Sequence, residues 1–228
     1  MLNSIIERHR KSNPLSDTEV QIVRGATRLF LEKGFSKTTH RMIAEETGIG
    51  LGTITYHFKT KEDLLQLLIE ELMDFHSDVI EDSEAKTANK LFSYAMEIAV
   101  QIALCENDSK AWDLYYSAYS HPVTFEIIKN WAAKKNYFLL SERMPQLKES
   151  DFRAIENITS GIELAAFTFP CDRYFALEDK IRLTLDSMMK IYDIPQNERK
   201  ETIDKVLTLD YENIAKDMFN TFIKRLDD

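Results

Sequence analysis

Residues 38–58 read TTHRMIAEETGIGLGTITYHF, a segment crowded with groups that hydrogen-bond phosphates and base edges. Thr38 and Thr39 stand where a helix begins, so their hydroxyls and the first helical amides can converge on one phosphate. Gly52 and Thr53 lead a second short helix. Glycine lets backbone approach a partner closely, and threonine offers both a hydroxyl and a methyl. Thr55, Tyr56 and His57 follow. Tyr56 and His57 suit phosphate contacts, which position a protein on a duplex without specifying sequence. Lys61 adds a charge at the start of the next helix, and Lys37, Arg41 and Lys59 make the neighbourhood basic. Each residue also has a plainer reading: Thr38 as a helix cap only, Tyr56 and His57 as packing against the following helix.

A second group of residues suits a small apolar guest. Trp112, Tyr115 and Tyr119 are spaced i, i+3, i+7 on one helix face, with Tyr116 beside them and Phe125, Trp131, Tyr137 and Phe138 close behind. Such a stripe is either core or the wall of a cavity, because pockets are lined by aromatic groups with a few polar ones. His121 and Glu163 are the candidate polar anchors. Glu163 lies in the apolar stretch 158–169, which also brings Phe167, and an acid among aromatics suits a cationic lipophilic ligand.

Other chemistries lack their residues. There is no glycine-rich phosphate loop and no nucleophile elbow, so no enzyme is expected. His76 and His121 are isolated, and Cys105 and Cys171 have no CxxC spacing, so neither a metal nor another cofactor is expected. The two thiols read as reduced, which fits a cytoplasmic protein. The first residues carry no apolar signal region, and no run approaches the ~20 apolar residues of a membrane span.

The elements that must position these groups are helices. Apolar residues recur at helical spacing and no stretch alternates with period two, so the chain reads as all-α with about nine to ten helices. Asp17 is the expected N-cap of a first helix ending at Lys33, which Gly34 terminates. A second helix runs from Thr38 or Thr39 to Gly48 with Met42, Ile43 and Ala44 inward, and a third spans 51–58. Thr60 and Asp63 form a capping box that opens a fourth helix, ending near Glu81. Further helices are expected near 86–104, 108–119, 123–143, 150–169 and 175–193, and over 198–226 with a break at Leu209–Asp210. The organisation is then a terminal extension (1–16), a helix-turn-helix domain (17–61), the connecting fourth helix (about 61–81) and a larger helical domain (82–228).

Charge follows the same division. The net charge of −9 conceals ten Lys/Arg against six Asp/Glu in residues 1–61, and nineteen against thirty-two beyond. A basic head meets phosphate while an acidic body is repelled by it. Five of the six glycines also lie in the first 52 residues.

Segment 17–68, with LFLEKGF, TTHRMIAEETG, GLGTITYHF and KTKEDLL, resembles the DNA-binding domain of the TetR (tetracycline repressor) family. The resemblance implies an all-helical homodimer that binds a palindromic double-stranded DNA operator and is released when a small-molecule effector enters the C-terminal domain. It places Thr39, Gly52, Thr53, Tyr56, His57 and Lys61 where family members touch DNA. Three positions depart from the pattern: Gly50 replaces a common capping serine, Leu51 a basic or small polar residue, and Thr55 a common aromatic. Arg8, Arg10 and Lys11 before the domain are candidates for an arm along DNA. Apolar faces on the helices near 150–169 and 175–193 (Ile155, Ile158, Ile162, Ala165, Ala166; Ile181, Leu185, Met188, Met189) either pair with their mates in a dimer or pack only within one chain. The alternative is a DNA-binding adaptor whose body docks a protein. A closed void with buried polar groups favours a ligand sensor, a filled core with a large exposed apolar patch the adaptor.

Overall fold

The computed structural model describes residues 15–87 and 89–227. Arg8, Arg10 and Lys11, the candidates for an arm along DNA, lie outside them. Every element of any length is helical: α1 (Asp17–Lys33), α2 (His40–Thr47), α3 (Leu51–His57), α4 (Lys61–Thr87), α5 (Lys90–Asn107), α6 (Ser109–Ser120), α7 (Pro122–Leu140), α8 (Glu149–Thr168), α9 (Leu177–Ile191), α10 (Gln196–Leu207) and α11 (Tyr211–Asp227).

Local chemistry sets the ends. The cap of α1 is Ser16 rather than Asp17. The Ser16 hydroxyl accepts from the Glu19 amide at 3.3 Å, and the Glu19 carboxylate accepts from the Ser16 amide at 2.8 Å. This reciprocal box satisfies two orphan donors, leaving Asp17 as a first-turn acid facing the helix dipole. Thr39 caps α2, and Thr60 and Asp63 form the expected box before α4 at 2.9 and 3.3 Å. Gly48 ends α2 in the left-handed region at φ 70°, where a side chain is resisted. Helix α4 continues to Thr87, six residues past the sequence expectation, because no proline or glycine interrupts it. The last expected helix does break, giving α10 and α11.

Helices α1–α3 form a small three-helix unit around Ile22, Ala26, Ile43 and Ile54, all fully buried. Met42 and Ala44 are only half-buried. In the larger body α5 is the axis. Its buried residues run almost continuously from Leu91 to Cys105, so it is apolar all round, as a fully enclosed helix must be. The other body helices pack about it, with α7 and α8 lying along one another. Helix α6 touches both parts: it packs on α1 and also on α5, α7 and α8. No helix among the described residues is long and apolar enough to cross a membrane.

Candidate DNA interface and buried cavity

The helix-turn-helix depends on close approach of α1 to α2. A Cβ on Gly25 would lie 2.3 Å from the Thr47 methyl, so glycine is required at this crossing. The eight residues singled out on and around the motif then divide into two sets. Thr39, Gly52, Thr53, Thr55 and Tyr56 are exposed, Tyr56 at 81%. Thr39 also caps α2, and the Thr55 hydroxyl turns back to the Leu51 and Gly52 carbonyls at 3.1 and 3.2 Å. With them the side chains of Lys37, Arg41 and Lys59 are open to solvent.

Thr38, His57 and Lys61 face inward instead. Thr38 is 1% exposed and donates to the carbonyls of Gly34 at 2.8 Å and Leu29 at 3.3 Å, so its hydroxyl is turned into the α1–α2 corner. His57 Nδ1 lies 3.2 Å from the Glu19 carboxylate and ties α3 to α1. Burial pushes the Glu19 carboxyl up, but the Ser16 amide and hydroxyl together with His57 outweigh it and hold the group below its usual range. Lys61 Nζ donates to the carbonyls of Phe35 (2.8 Å), Thr38 (3.3 Å) and Ser36 (3.5 Å), and stands 4.2 Å over the Phe35 ring. These three residues shape the reading head; they are not free donors on its surface. Nothing in the pattern of residue types separates the sets, because the same donors suit either task. Gly50 caps α3 without a side chain, and the helix forms nonetheless.

In the body, two adjoining voids share Leu72, Glu97, Gln101 and Tyr115. Each has room for about one water molecule. Of the candidate ligand residues, Tyr115, Tyr119, Trp131 and Glu163 line the first. Phe167 stands behind them, edge-on to Tyr115 and Tyr119 at 5.9 and 5.2 Å. Three candidates are placed elsewhere. Trp112 donates to the Phe167 carbonyl at 2.7 Å and stacks on the half-exposed ring of Tyr116 at 5.0 Å. The stripe is therefore split, because 112 and 116 point round the helix from 115 and 119. His121 sits at the α6–α7 junction as the cap before Pro122 and lines neither void.

The polar wall comes mostly from residues that single-position reading passed over. Glu97 accepts from Lys135 at 2.6 Å and lies 3.5 Å from His76. Burial raises its carboxyl, but Lys135 and His76 outweigh that and bring it to about 2. Gln101 and the Tyr115 hydroxyl each reach a ring nitrogen of His76 at 3.3 Å. Tyr119 donates to Glu163 at 2.6 Å, and burial followed by the neighbouring Glu156 raises Glu163 to about 8. An ion pair and an acid raised to about 8 thus share one cavity. The signal was available only in three dimensions, since His76, Glu97, Lys135 and Glu163 belong to four helices.

The apolar faces considered for a self-contact also divide between inside and outside. Ile181, Leu185, Met188 and Met189 are fully buried inside the protomer, and Ala166 is covered too. The exposed stripe is Ala154, Ile158, Gly161 and Ala165 on α8, with Leu183 on α9; Ile158 and Leu183 are 59% and 61% exposed. Both helices have two apolar faces, and periodicity alone does not tell which one looks inward.

Comparison with known proteins adds an independent finding. Residues 22–68 match the model for bacterial regulatory proteins of the tetR family. The HTH-type transcriptional regulator TtgR of Pseudomonas putida is 34% identical over 77 residues, 34% of this chain and 37% of that protein. A fatty acid metabolism regulator protein of Bacillus subtilis is 29% identical over 89 residues, 39% of this chain and 46% of its own length. The chain spans between about a quarter and a half of the length of the curated relatives it matches. Among solved structures, RolR in complex with resorcinol superposes with a TM-score of 0.63 at 19% identity, covering 80% of this chain and 91% of RolR. FadR of Thermus thermophilus, a TetR family repressor in complex with lauroyl-CoA, gives 0.55 at 17% identity, covering 77% and 95%. These two likenesses show the fold across both parts of the chain.

Proposed function

We propose that this chain, whose residues 22–68 match the model for bacterial regulatory proteins of the tetR family, is a homodimeric transcriptional repressor released from a palindromic operator by a small molecule. One observation carries the ligand-responsive part. Helix α6 bears Tyr115 and Tyr119 on the cavity wall and Asp113 on the opposite side, where the Asp113 carboxylate accepts hydrogen bonds from Ser36 in the α1–α2 loop, the amide at 2.8 Å. A guest that moves α6 moves the corner of the helix-turn-helix. That is the differential contact a ligand needs to shift an equilibrium between two states.

Thr39, Gly52, Thr53, Thr55 and Tyr56 are the proposed DNA-facing set, with Lys37, Arg41 and Lys59 as phosphate contacts. Thr38, His57 and Lys61 are assigned to positioning. The exposed α8–α9 stripe is the proposed self-contact, since a two-fold operator needs two heads held in register. RolR and FadR carry resorcinol and lauroyl-CoA. The buried polar cluster at the two voids, rather than their volume of about one water each, supports a small ligand over a docked protein.

The experiment is a fluorescence-anisotropy titration of the full chain on DNA upstream of its own gene, at several salt concentrations. Affinity that falls steeply with salt and one dimer per site are expected. Salt-independent binding, or none, overturns the reading.

A further inference from the structure

Resting on the effector-site reading above, we propose that the cavity takes a lipophilic organic cation whose charge replaces a proton on Glu163. The balance is simple: the neutral Glu163 carboxylic acid and the incoming cation become a carboxylate–cation pair, and one proton leaves to solvent. No covalent bond to the guest is made.

The cluster holds more acids than bases. Glu156 and Glu163 on α8 are buried, and the side chain of Glu97 on α5 is 8% exposed. Lys135 is the one lysine or arginine among the described lining residues of the cavity, and Glu97 already holds it at 2.6 Å. Among the described residues Glu163 therefore has the Tyr119 hydroxyl as its one hydrogen-bond partner. The groups facing it are Tyr94 and Glu97 from α5, Tyr115 and Tyr119 from α6, Lys135 from α7 and Glu156 from its own helix. Tyr192 of α9 stands one step away, with Asn136, on Glu156.

Two buried polar atoms beside the cavity, on residues that line neither void, have no partner among the described residues: the Tyr94 hydroxyl and Asn136 Oδ1. The protein alone leaves hydrogen-bonding capacity unused here, which native interiors rarely do. The apolar walls suit a cation as well. Lys135 already stands 4.6 Å over the Trp131 ring, so that face accepts positive charge, and Tyr115 and Tyr119 add two more rings. An anion meets the opposite situation, with three acids and a lysine already taken. Because each void has room for only about one water, the guest must enter by displacing side chains, for which the flexible Met73 on the wall is suited.

Two small probes of matched shape test this: phenyltrimethylammonium and its uncharged carbon isostere, tert-butylbenzene. Calorimetric titration of the full chain at pH 7, in phosphate and in Tris, counts protons released on binding. The cation is expected to bind at least tenfold tighter than the isostere, to release close to one proton, and to bind more tightly as pH rises from 6 towards 8, levelling above. In Glu163→Gln, which keeps an acceptor for Tyr119, the proton release should vanish and the preference should shrink to a few-fold. The proton count on the unmodified protein stands even where that variant folds poorly. Equal affinity for the two probes, or cation binding without proton release, overturns the proposal. Binding of tert-butylbenzene alone also overturns it while leaving the effector cavity in place. Failure of both probes by a chain that still binds its operator overturns the cavity reading as well.

Discussion

Ser36 and Asp113 lie 77 residues apart in sequence, yet the Ser36 amide and hydroxyl both donate to the two oxygens of the Asp113 carboxylate. The contact is tightened by Gly34, where a Cβ would stand 3.0 Å from the same carboxylate and whose φ of 93° already favours glycine. It joins the α1–α2 loop to the helix that walls the cavity.

Removing this link should loosen the loop before it unfolds the protein. Hydrogen bonds to a charged acceptor contribute about 1.5–3 kcal/mol. Asp113→Ala should therefore speed hydrogen exchange at the Ser36 amide by roughly tenfold or more, since about 1.4 kcal/mol is one decade. Exchange within α7 and α8 should stay unchanged. Exchange at residue 36 equal to that of the parent chain shows that the contact does not hold the loop.

The α1–α2 crossing gives a sharper steric test. Alanine is the better helix former by about 1 kcal/mol, so Gly25→Ala would stabilise an open helix. Here the new methyl meets Thr47 Cγ2 at 2.3 Å, and overpacking of this kind costs about 1–3 kcal/mol. The variant should be less stable in urea. Adding Thr47→Ser, which removes the methyl but keeps the hydroxyl that bonds the Ile43 carbonyl at 2.7 Å, should restore most of the loss. Additive effects of the two changes count against the clash.

The helix-turn-helix was legible in the sequence because its signals are local: Gly34 and Gly48 at turns, Thr60 and Asp63 as a box, and a three-residue gap between α2 and α3. The choice of Asp17 over Ser16 as cap failed for a local reason too, since only the spacing from Ser16 to Glu19 permits the reciprocal bonds. The cavity was half legible. Tyr115, Tyr119, Trp131 and Glu163 announce themselves by type, but Glu97, Gln101 and Lys135 read as ordinary helix residues until α5 and α7 are packed together. The sequence leaves the face of α9 open between self-contact and core because both uses need the same apolar periodicity, and only the position of α5 decides between them.

Surface and positioning roles on the reading head separate by their effects on stability. Tyr56 is 81% exposed, so Tyr56→Phe should leave the melting temperature unchanged while weakening operator binding by up to about tenfold, the value of one hydrogen bond. Lys61→Ala should lower the melting temperature, because it removes the donor to the Phe35 and Thr38 carbonyls. Calorimetric melting beside anisotropy titration distinguishes them. An unchanged melting temperature for Lys61→Ala returns that residue to the DNA-facing set.

A charge placed on the exposed α8 stripe should split the proposed dimer. Ile158 stands between Ala154 and Ala165 on a face of small residues, and Ile158→Glu would set two carboxylates against each other across a two-fold axis. Sedimentation should show a monomer with an intact helical spectrum. Operator affinity should fall by at least a hundredfold as the second head is lost. A variant that remains dimeric moves the self-contact away from this stripe.

The acid in the cavity predicts how stability depends on pH. Burial, then Glu156, raises Glu163 from 4.5 to about 8, so between those values the folded chain holds a proton that the unfolded chain has lost. Stability contributed by this group is complete below about 4.5, falls as pH rises towards 8 with a slope of up to about 1.4 kcal/mol per unit, and is level above. Glu97 acts in the opposite sense: held down to about 2, its contribution is complete above 4.5 and is lost as pH falls towards 2. Other groups titrate as well, so the informative quantity is the difference from Glu163→Gln, which does not ionise. Urea midpoints at pH 5, 6, 7 and 8 should show the parent chain losing stability relative to the variant across that window. Parallel curves would mean that Glu163 is ionised in the folded state, and that its hydrogen bond from Tyr119 at 2.6 Å is made to a carboxylate.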